Sequence, residues 1–175
     1  MTIEQLKNTL PECAKDIKLN LSNILTDEGA PDLNPVQRSG IALSCAYSTK
    51  NQLLISIILA EVQQHLSENE IEAAKSAAII MAMNNIYYRF IHLINDKSFS
   101  SLPAGLRMSV INQPGIDRID FEMNCLAVSA LNGCGMCIES HTHALIKAEV
   151  SKRAIQSAVR IAAVMNAVAT GVKIS

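Results

Sequence analysis

The chain has no tryptophan, and only three tyrosines and three phenylalanines stand among its 175 residues, although 49% of them are hydrophobic. A core with so few aromatics must be filled by Ala, Ile, Leu, Val and Met, a composition that suits helices packed on helices. Neither sign of charge dominates: 15 basic and 16 acidic residues are scattered along the chain and leave a formal net charge of −1. Phosphate backbones are held by clustered lysine and arginine, so nucleic acid is not an expected partner. A glycine-rich phosphate loop is also missing, and with it the usual means of holding NAD, FAD or ATP. The longest aliphatic stretch, around Leu53 to Ala60, contains Ser56 and falls far short of the roughly 20 residues that cross a bilayer. A membrane role is therefore not expected. Met1 to Leu10 lacks the basic-then-apolar layout of a secretory signal, which makes a cytoplasmic location the expectation.

What is present reads as helix throughout. The length suits one domain, residues 1–175, with a core of useful size. Side chains that can cap a helix recur at suitable spacing: Thr2 with Gln5, Asn34 before Pro35, Ser67 with Glu70, and Ser151 before an alanine-rich run. Between caps the apolar residues follow a helical period, as in Ile155, Ala158, Val159, Ala162, Ala163 and Val168. No segment alternates as a strand does, so the expected class is all-α. Proline and glycine break the pattern at Asp27 to Pro35, Ser98 to Gly105 and Asn112 to Gly115. The last two breaks divide the chain into similar halves, 34–95 and 116–173. Ala46-Tyr-Ser-Thr-Lys-Asn51 aligns with Ala127-Val-Ser-Ala-Leu-Asn132, and each leads into an apolar helix and then a capped alanine-rich one. A pseudo-duplicated helical hairpin accounts for this economically. At that offset Cys134 falls opposite Leu53 and Cys137 opposite Ser56, so any cysteine chemistry belongs to the second half.

The five cysteines form no disulfide framework expected of an exported protein. Cys13, Cys45 and Cys125 stand alone among apolar neighbours, where a thiol usually behaves as a small buried hydrophobe. Cys134 and Cys137 are different. They sit in Asn132-Gly-Cys134-Gly-Met-Cys137-Ile-Glu-Ser-His141-Thr-His143, where Asn-Gly predicts a turn and Cys134 then opens a helix. Spacings of three and four put Cys134, Cys137 and His141 on one face. The positive end of the helix and a neighbouring imidazole both favour thiolate, the nucleophilic form. Two thiols one turn apart can also close a disulfide, which captures a sulfenic acid before it oxidises further. A carboxylate that orients the imidazole would complete a proton relay. Glu122, twelve residues before Cys134 and on the preceding helix, is the candidate.

Other readings are weighed against this one. Cys134, Cys137 and His141 could instead hold zinc in a structural or regulatory module, although no second Cys-x-x-Cys completes four ligands. Glu139 and His143 leave the shared face and read as surface groups. His65 and His92 are isolated, and Met81, Met83 and Met165 read as gap-fillers in helices.

At these residues the chain resembles the alkyl hydroperoxidase D (AhpD) family, within the carboxymuconolactone decarboxylase-like superfamily. The family pattern of Glu, eleven residues, Cys-x-x-Cys, three residues and His is met by Glu122, Cys134, Cys137 and His141. The likeness extends to Leu10-Pro-Glu-Cys-Ala-Lys-Asp-Ile-Lys-Leu-Asn-Leu-Ser22, Met81-Ala-Met-Asn-Asn-Ile-Tyr-Tyr-Arg89 and Gly105-Leu-Arg-Met108. It implies an all-α fold with internal duplication, a homotrimer, and reduction of organic hydroperoxides or of the oxidised peroxiredoxin AhpC. The resemblance makes Cys137 the peroxidatic thiol that becomes sulfenic acid, and Cys134 the more accessible resolving thiol. His141 then contacts Cys137, and Glu122 completes the relay. No cofactor is bound; the implied electron source is a dihydrolipoyl group on a 2-oxoacid dehydrogenase acyltransferase, recharged by dihydrolipoamide dehydrogenase. Some members carry His between the two cysteines, where this chain has Met136. A decarboxylase acting on a lactone acid is the other reading within the superfamily, and it gives the dithiol no task.

Overall fold

Capping side chains set where the helices begin. A computed structural model describes residues 1–174; Ser175, the last residue of the expected single domain, lies outside the described residues. Thr2, Asn34 and Ser67 each accept a hydrogen bond from the amide three residues on, and the side chains of Gln5, Gln37 and Glu70 accept one in turn from the backbone N–H of the cap residue. These reciprocal boxes start α1 (Ile3–Thr9), α3 (Pro35–Thr49) and α5 (Glu68–Ile94). Asn51, Asp117 and Ser151 cap α4 (Gln52–Val62), α8 (Arg118–Leu131) and α10 (Lys152–Lys173) with their side chains. A 3₁₀ turn at Glu12–Ala14 leads into α2 (Lys15–Asn23), and Cys134 caps α9 (Gly135–Lys147). One-turn helices adjoin the two later breaks: α6 (Lys97–Ser100) overlaps the start of the one expected at Ser98 to Gly105, and α7 (Ser109–Asn112) ends where the one expected at Asn112 to Gly115 begins. Asp96 accounts for the first by accepting the Ser98 amide proton.

The described residues contain no strand, and the class is all-α as expected. Helices α3, α5, α8 and α10 form the central layer, with α3 and α8 each touching α5 and α10. Their shared core holds Ile41, Leu43, Leu126, Ile161, Met165 and Val168. Small residues let the axes come close. A Cβ on Gly40 would lie 3.2 Å from Asn124 Oδ1 across the α3–α8 contact, and Ala73 and Ala77 of α5 pack on Cys125 and Val128 of α8. Two shorter helices followed by a much longer one occur in α3–α4–α5 and again in α8–α9–α10. The duplicated hairpin nonetheless remains an expectation of the sequence, since only helix order and neighbours speak for it.

Helix α10 shows why counting aliphatic runs is an incomplete test for membrane spans. Its 22 residues are long and apolar enough to cross a bilayer by composition, yet half of the relevant stretch is buried inside the protein. Alanines broken by Arg160 and Asn166 escape a search for aliphatic runs, and packing on α3 and α8 uses the apolar face.

Candidate active site

The turn between α8 and α9 places the cysteine pair. Gly133 adopts φ +68°, a conformation that costs a residue bearing a Cβ about 1–2 kcal/mol, and the reversal folds α9 back along α8. Helix α5 anchors this turn. Asn132 Nδ2 donates to Asn85 Oδ1 at 2.9 Å, Arg89 Nη1 donates to the Asn132 carbonyl at 2.8 Å, and Asn85 Nδ2 donates to Ser129 Oγ at 2.9 Å. Asn85 and Arg89 are one turn apart, so one stripe of α5 holds the backbone just before Cys134.

Cys134 and Cys137 are joined as a disulfide, with Cα atoms 5.3 Å apart. Cys134 is the helix cap, and its sulfur accepts the Cys137 amide at 3.3 Å. On reduction that sulfur would sit where amide protons and the helix dipole favour negative charge. One turn further on, the His141 ring meets Glu122 of α8, Nδ1 to Oε2 at 2.6 Å, and both groups are buried. Glu122, Cys137 and His141 line one cavity of about 450 Å³, with Met81, Asn84, Tyr88, Met108, Ile111, Arg118, Met136, Ser140 and Ala144. The structure therefore places Cys137, His141 and Glu122 on one cavity, with Cys134 joined to Cys137 behind it. Met81, Met108, Met136, Ile111 and Ala144 give this cavity a thioether and aliphatic wall beside its polar groups, so a molecule with an apolar body and a polar end fits beside the sulfur.

Two expectations are corrected. Cys134 was expected to be the more accessible sulfur, but it has no exposed surface, whereas Cys137 keeps 6% and lines the cavity. As the cap of α9, Cys134 turns its sulfur onto the first turn of that helix, where it accepts the Cys137 amide. Cys13 is exposed rather than buried, because its 3₁₀ turn lies at the surface. Cys45 and Cys125 are buried as expected. Burial pushes both thiols well above the usual range, with the Glu122 charge adding to the effect at Cys125, so neither is a ready nucleophile. His143 and Glu139 are exposed.

His92 was read as isolated, and its neighbourhood was missed. A Cβ on Gly135, between the cysteines, would lie 3.8 Å from His92 Nε2. Sequence separation hides that contact, although position 92 continues the stripe of Asn85 and Arg89. Asn84 was also missed. It is buried, its Oδ1 has no hydrogen-bond partner among the described residues, and it lines the same cavity.

For the zinc reading, no group of three or more His, Cys, Asp or Glu side chains among the described residues is placed to hold a metal ion. A larger cavity, about 620 Å³, lies beside Lys50, Lys75, Arg89, Ile79 and Ile86. It contains no cysteine, histidine or carboxylate, so size alone does not make it the reaction site.

Comparison with known proteins identifies relatives over nearly the whole chain. Residues 98–172 match the carboxymuconolactone decarboxylase family, a span that contains Glu122, both cysteines and His141. The chain is 50% identical over 167 residues to the alkyl hydroperoxide reductase AhpD of Coxiella burnetii (strain Dugway 5J108-111), covering 95% of this chain and 94% of that protein. It is 51% identical over 173 residues to the protein of the same name from Rhodopseudomonas palustris (strain BisA53), covering 99% and 94%. The corresponding protein of Bradyrhizobium sp. (strain ORS 278) is 47% identical over 173 residues, with the same coverage.

Proposed function

The chain belongs to the AhpD family of the carboxymuconolactone decarboxylase-like superfamily, and from that premise we propose that it is a cytoplasmic antioxidant thiol peroxidase. The observation that carries the proposal is the Cys137 sulfur lining one cavity with the buried His141–Glu122 pair. In the reduced protein, the Cys137 thiolate attacks the terminal oxygen of an organic hydroperoxide and the O–O bond breaks. The leaving alkoxide takes a proton from His141 and departs as an alcohol, while Cys137 becomes a sulfenic acid. The Cys134 thiol then attacks that sulfur and gives up its proton, which passes to the departing hydroxide, so water leaves and the disulfide present here is formed. Glu122 orients the imidazole and stabilises its protonated form.

Two electrons and two protons are needed to return the disulfide to the dithiol. We assign them to a dihydrolipoyl group on a 2-oxoacid dehydrogenase acyltransferase, recharged by dihydrolipoamide dehydrogenase. In the same framework the reduced dithiol reduces the disulfide of the peroxiredoxin AhpC. We also propose a homotrimer, supported by Ile79, Ile86 and Leu93, which stand out from one side of α5 with 73%, 66% and 72% of their surface exposed.

The test is turnover of cumene hydroperoxide with dihydrolipoamide. Cys137→Ser is expected to abolish turnover, and Cys134→Ser to stop after one sulfenic acid per chain. Full peroxidase rate in Cys137→Ser would reject the assigned nucleophile.

A further inference from the structure

Three of the seven methionines, Met81, Met108 and Met136, line the cavity that holds the Cys137 sulfur. Their sulfurs are not equivalent. Met81 Sδ accepts from Ser129 Oγ at 3.4 Å and from Asn85 Nδ2 at 3.9 Å, and the residue is buried. Met108 Sδ accepts from the Tyr88 hydroxyl at 3.9 Å. Each donor engages a sulfur lone pair, the electron pair that a thioether uses to attack peroxide. Met136 lies between the two cysteines in the first turn of α9 and is half-buried, and no donor among the described residues reaches its sulfur.

We propose that Met136 is a second peroxide-reactive sulfur of this cavity, oxidised to methionine sulfoxide by the same hydroperoxides that the cysteine pair reduces. The proposal rests on the peroxidase reading, which puts apolar hydroperoxides against this wall. In the step, Sδ attacks the terminal oxygen, an S–O bond forms and the O–O bond breaks. The hydroperoxide's own proton passes to the alkoxide, so thioether and hydroperoxide become sulfoxide and alcohol with no other reactant. The product replaces a flexible apolar side chain with a polar, chiral one. It does so between the cysteines and against the thioether and aliphatic wall, where an apolar substrate loses its fit. Turnover therefore falls as Met136 is oxidised. Methionine sulfoxide reductase reverses this lesion, whereas a sulfinic acid on Cys137 is not a substrate for that enzyme.

The arrangement predicts an order of oxidation that exposure alone does not. Met1 is 60% exposed, and Met83 is half-buried like Met136 but does not line the cavity. Ordinary solvent oxidation reaches Met1 first and treats Met83 and Met136 alike. The test maps added oxygen, about +16 Da, on every methionine of the full chain during cycling with cumene hydroperoxide and dihydrolipoamide. Met136 is expected to gain oxygen before Met1 and Met83, with the accompanying loss of rate restored by methionine sulfoxide reductase. Met1 or Met83 oxidised as early as Met136, or a rate that the reductase leaves depressed, overturns the proposal. The cysteine peptides of the same digests report separately: dithiol that fails to become disulfide with hydroperoxide rejects the peroxidase reading, whatever the order of the methionines.

Discussion

Glu122 and His141 are both buried and meet at 2.6 Å, so each loses its partner when the other is replaced. His141→Gln is expected to slow disulfide formation with hydroperoxide by about 10²-fold, the lower range for a positioned general acid or base. Glu122→Gln should slow it less, because the imidazole stays near Cys137 but is poorly held. On the proposed relay, in which the carboxylate acts through the ring, the double substitution should be no slower than His141→Gln; additive losses in stopped-flow rates would separate the two groups. Asp120 offers a stability test. Burial is the largest cause raising its pKa, opposed by the hydrogen bond from Gln37 at 2.9 Å and reinforced by Asp117 and Glu70. Its ionised form is thus less favourable in the folded chain than in the unfolded one. That cost is present at neutral pH and fades as pH falls through the folded value toward the unfolded one, about 3.9. Asp120→Asn should therefore raise the urea midpoint at neutral pH, with the difference closing in acid. At this scale the site was legible where local spacing encodes it: three and four residues separate Cys134, Cys137 and His141, and Glu122 lies on the helix just before the Asn132-Gly133 turn. Asn84 and His92 come from α5, far off in sequence, and no local pattern links them to the pair.

Helix boundaries were legible because caps are local chemistry, and Thr2, Asn34, Ser67 and Ser151 all start helices as read. The one-turn helices α6 and α7 were not, since a single turn buries too little to leave a periodic pattern. The burial of Cys134 was equally hidden, because it depends on tertiary packing around the α8–α9 turn. That turn can be tested by itself. A Cβ on Gly133 would meet nothing within 4 Å, so Gly133→Ala introduces backbone strain without a clash. The expected cost is about 1–2 kcal/mol in urea unfolding. If the strained turn also relaxes in the native state, the Cys134–Cys137 disulfide should be reduced faster by dihydrolipoamide. A substitution that leaves the unfolding midpoint unchanged would show that the turn tolerates an L-residue there, and that the α5 tethers hold it in place.

At the scale of the whole molecule, the unsettled surface is the outer side of α5. Ile79, Ile86 and Leu93 are seven residues apart, and on a 27-residue helix that spacing drifts only about 20° per step, giving one stripe about 21 Å long. The exposed side chains of Phe90 and Ile94 widen it. The stripe borders the larger cavity through Ile79 and Ile86, so an apolar ridge runs beside a concave surface on the same chain. Ridge and hollow in one protomer suit a heterologous contact that closes into a ring, as the proposed trimer requires. Light scattering on the intact protein should then give three times the 19.0 kDa of one chain. Ile86→Lys removes no core contact in the isolated chain, because 66% of the side-chain-bearing residue is already exposed, and surface changes of this kind usually shift stability by less than about 0.5 kcal/mol. It should lower the mass toward one chain while the helical circular dichroism is kept. A wild-type mass of one chain would reject the trimer. An Ile86→Lys protein that stays trimeric would move the interface away from α5.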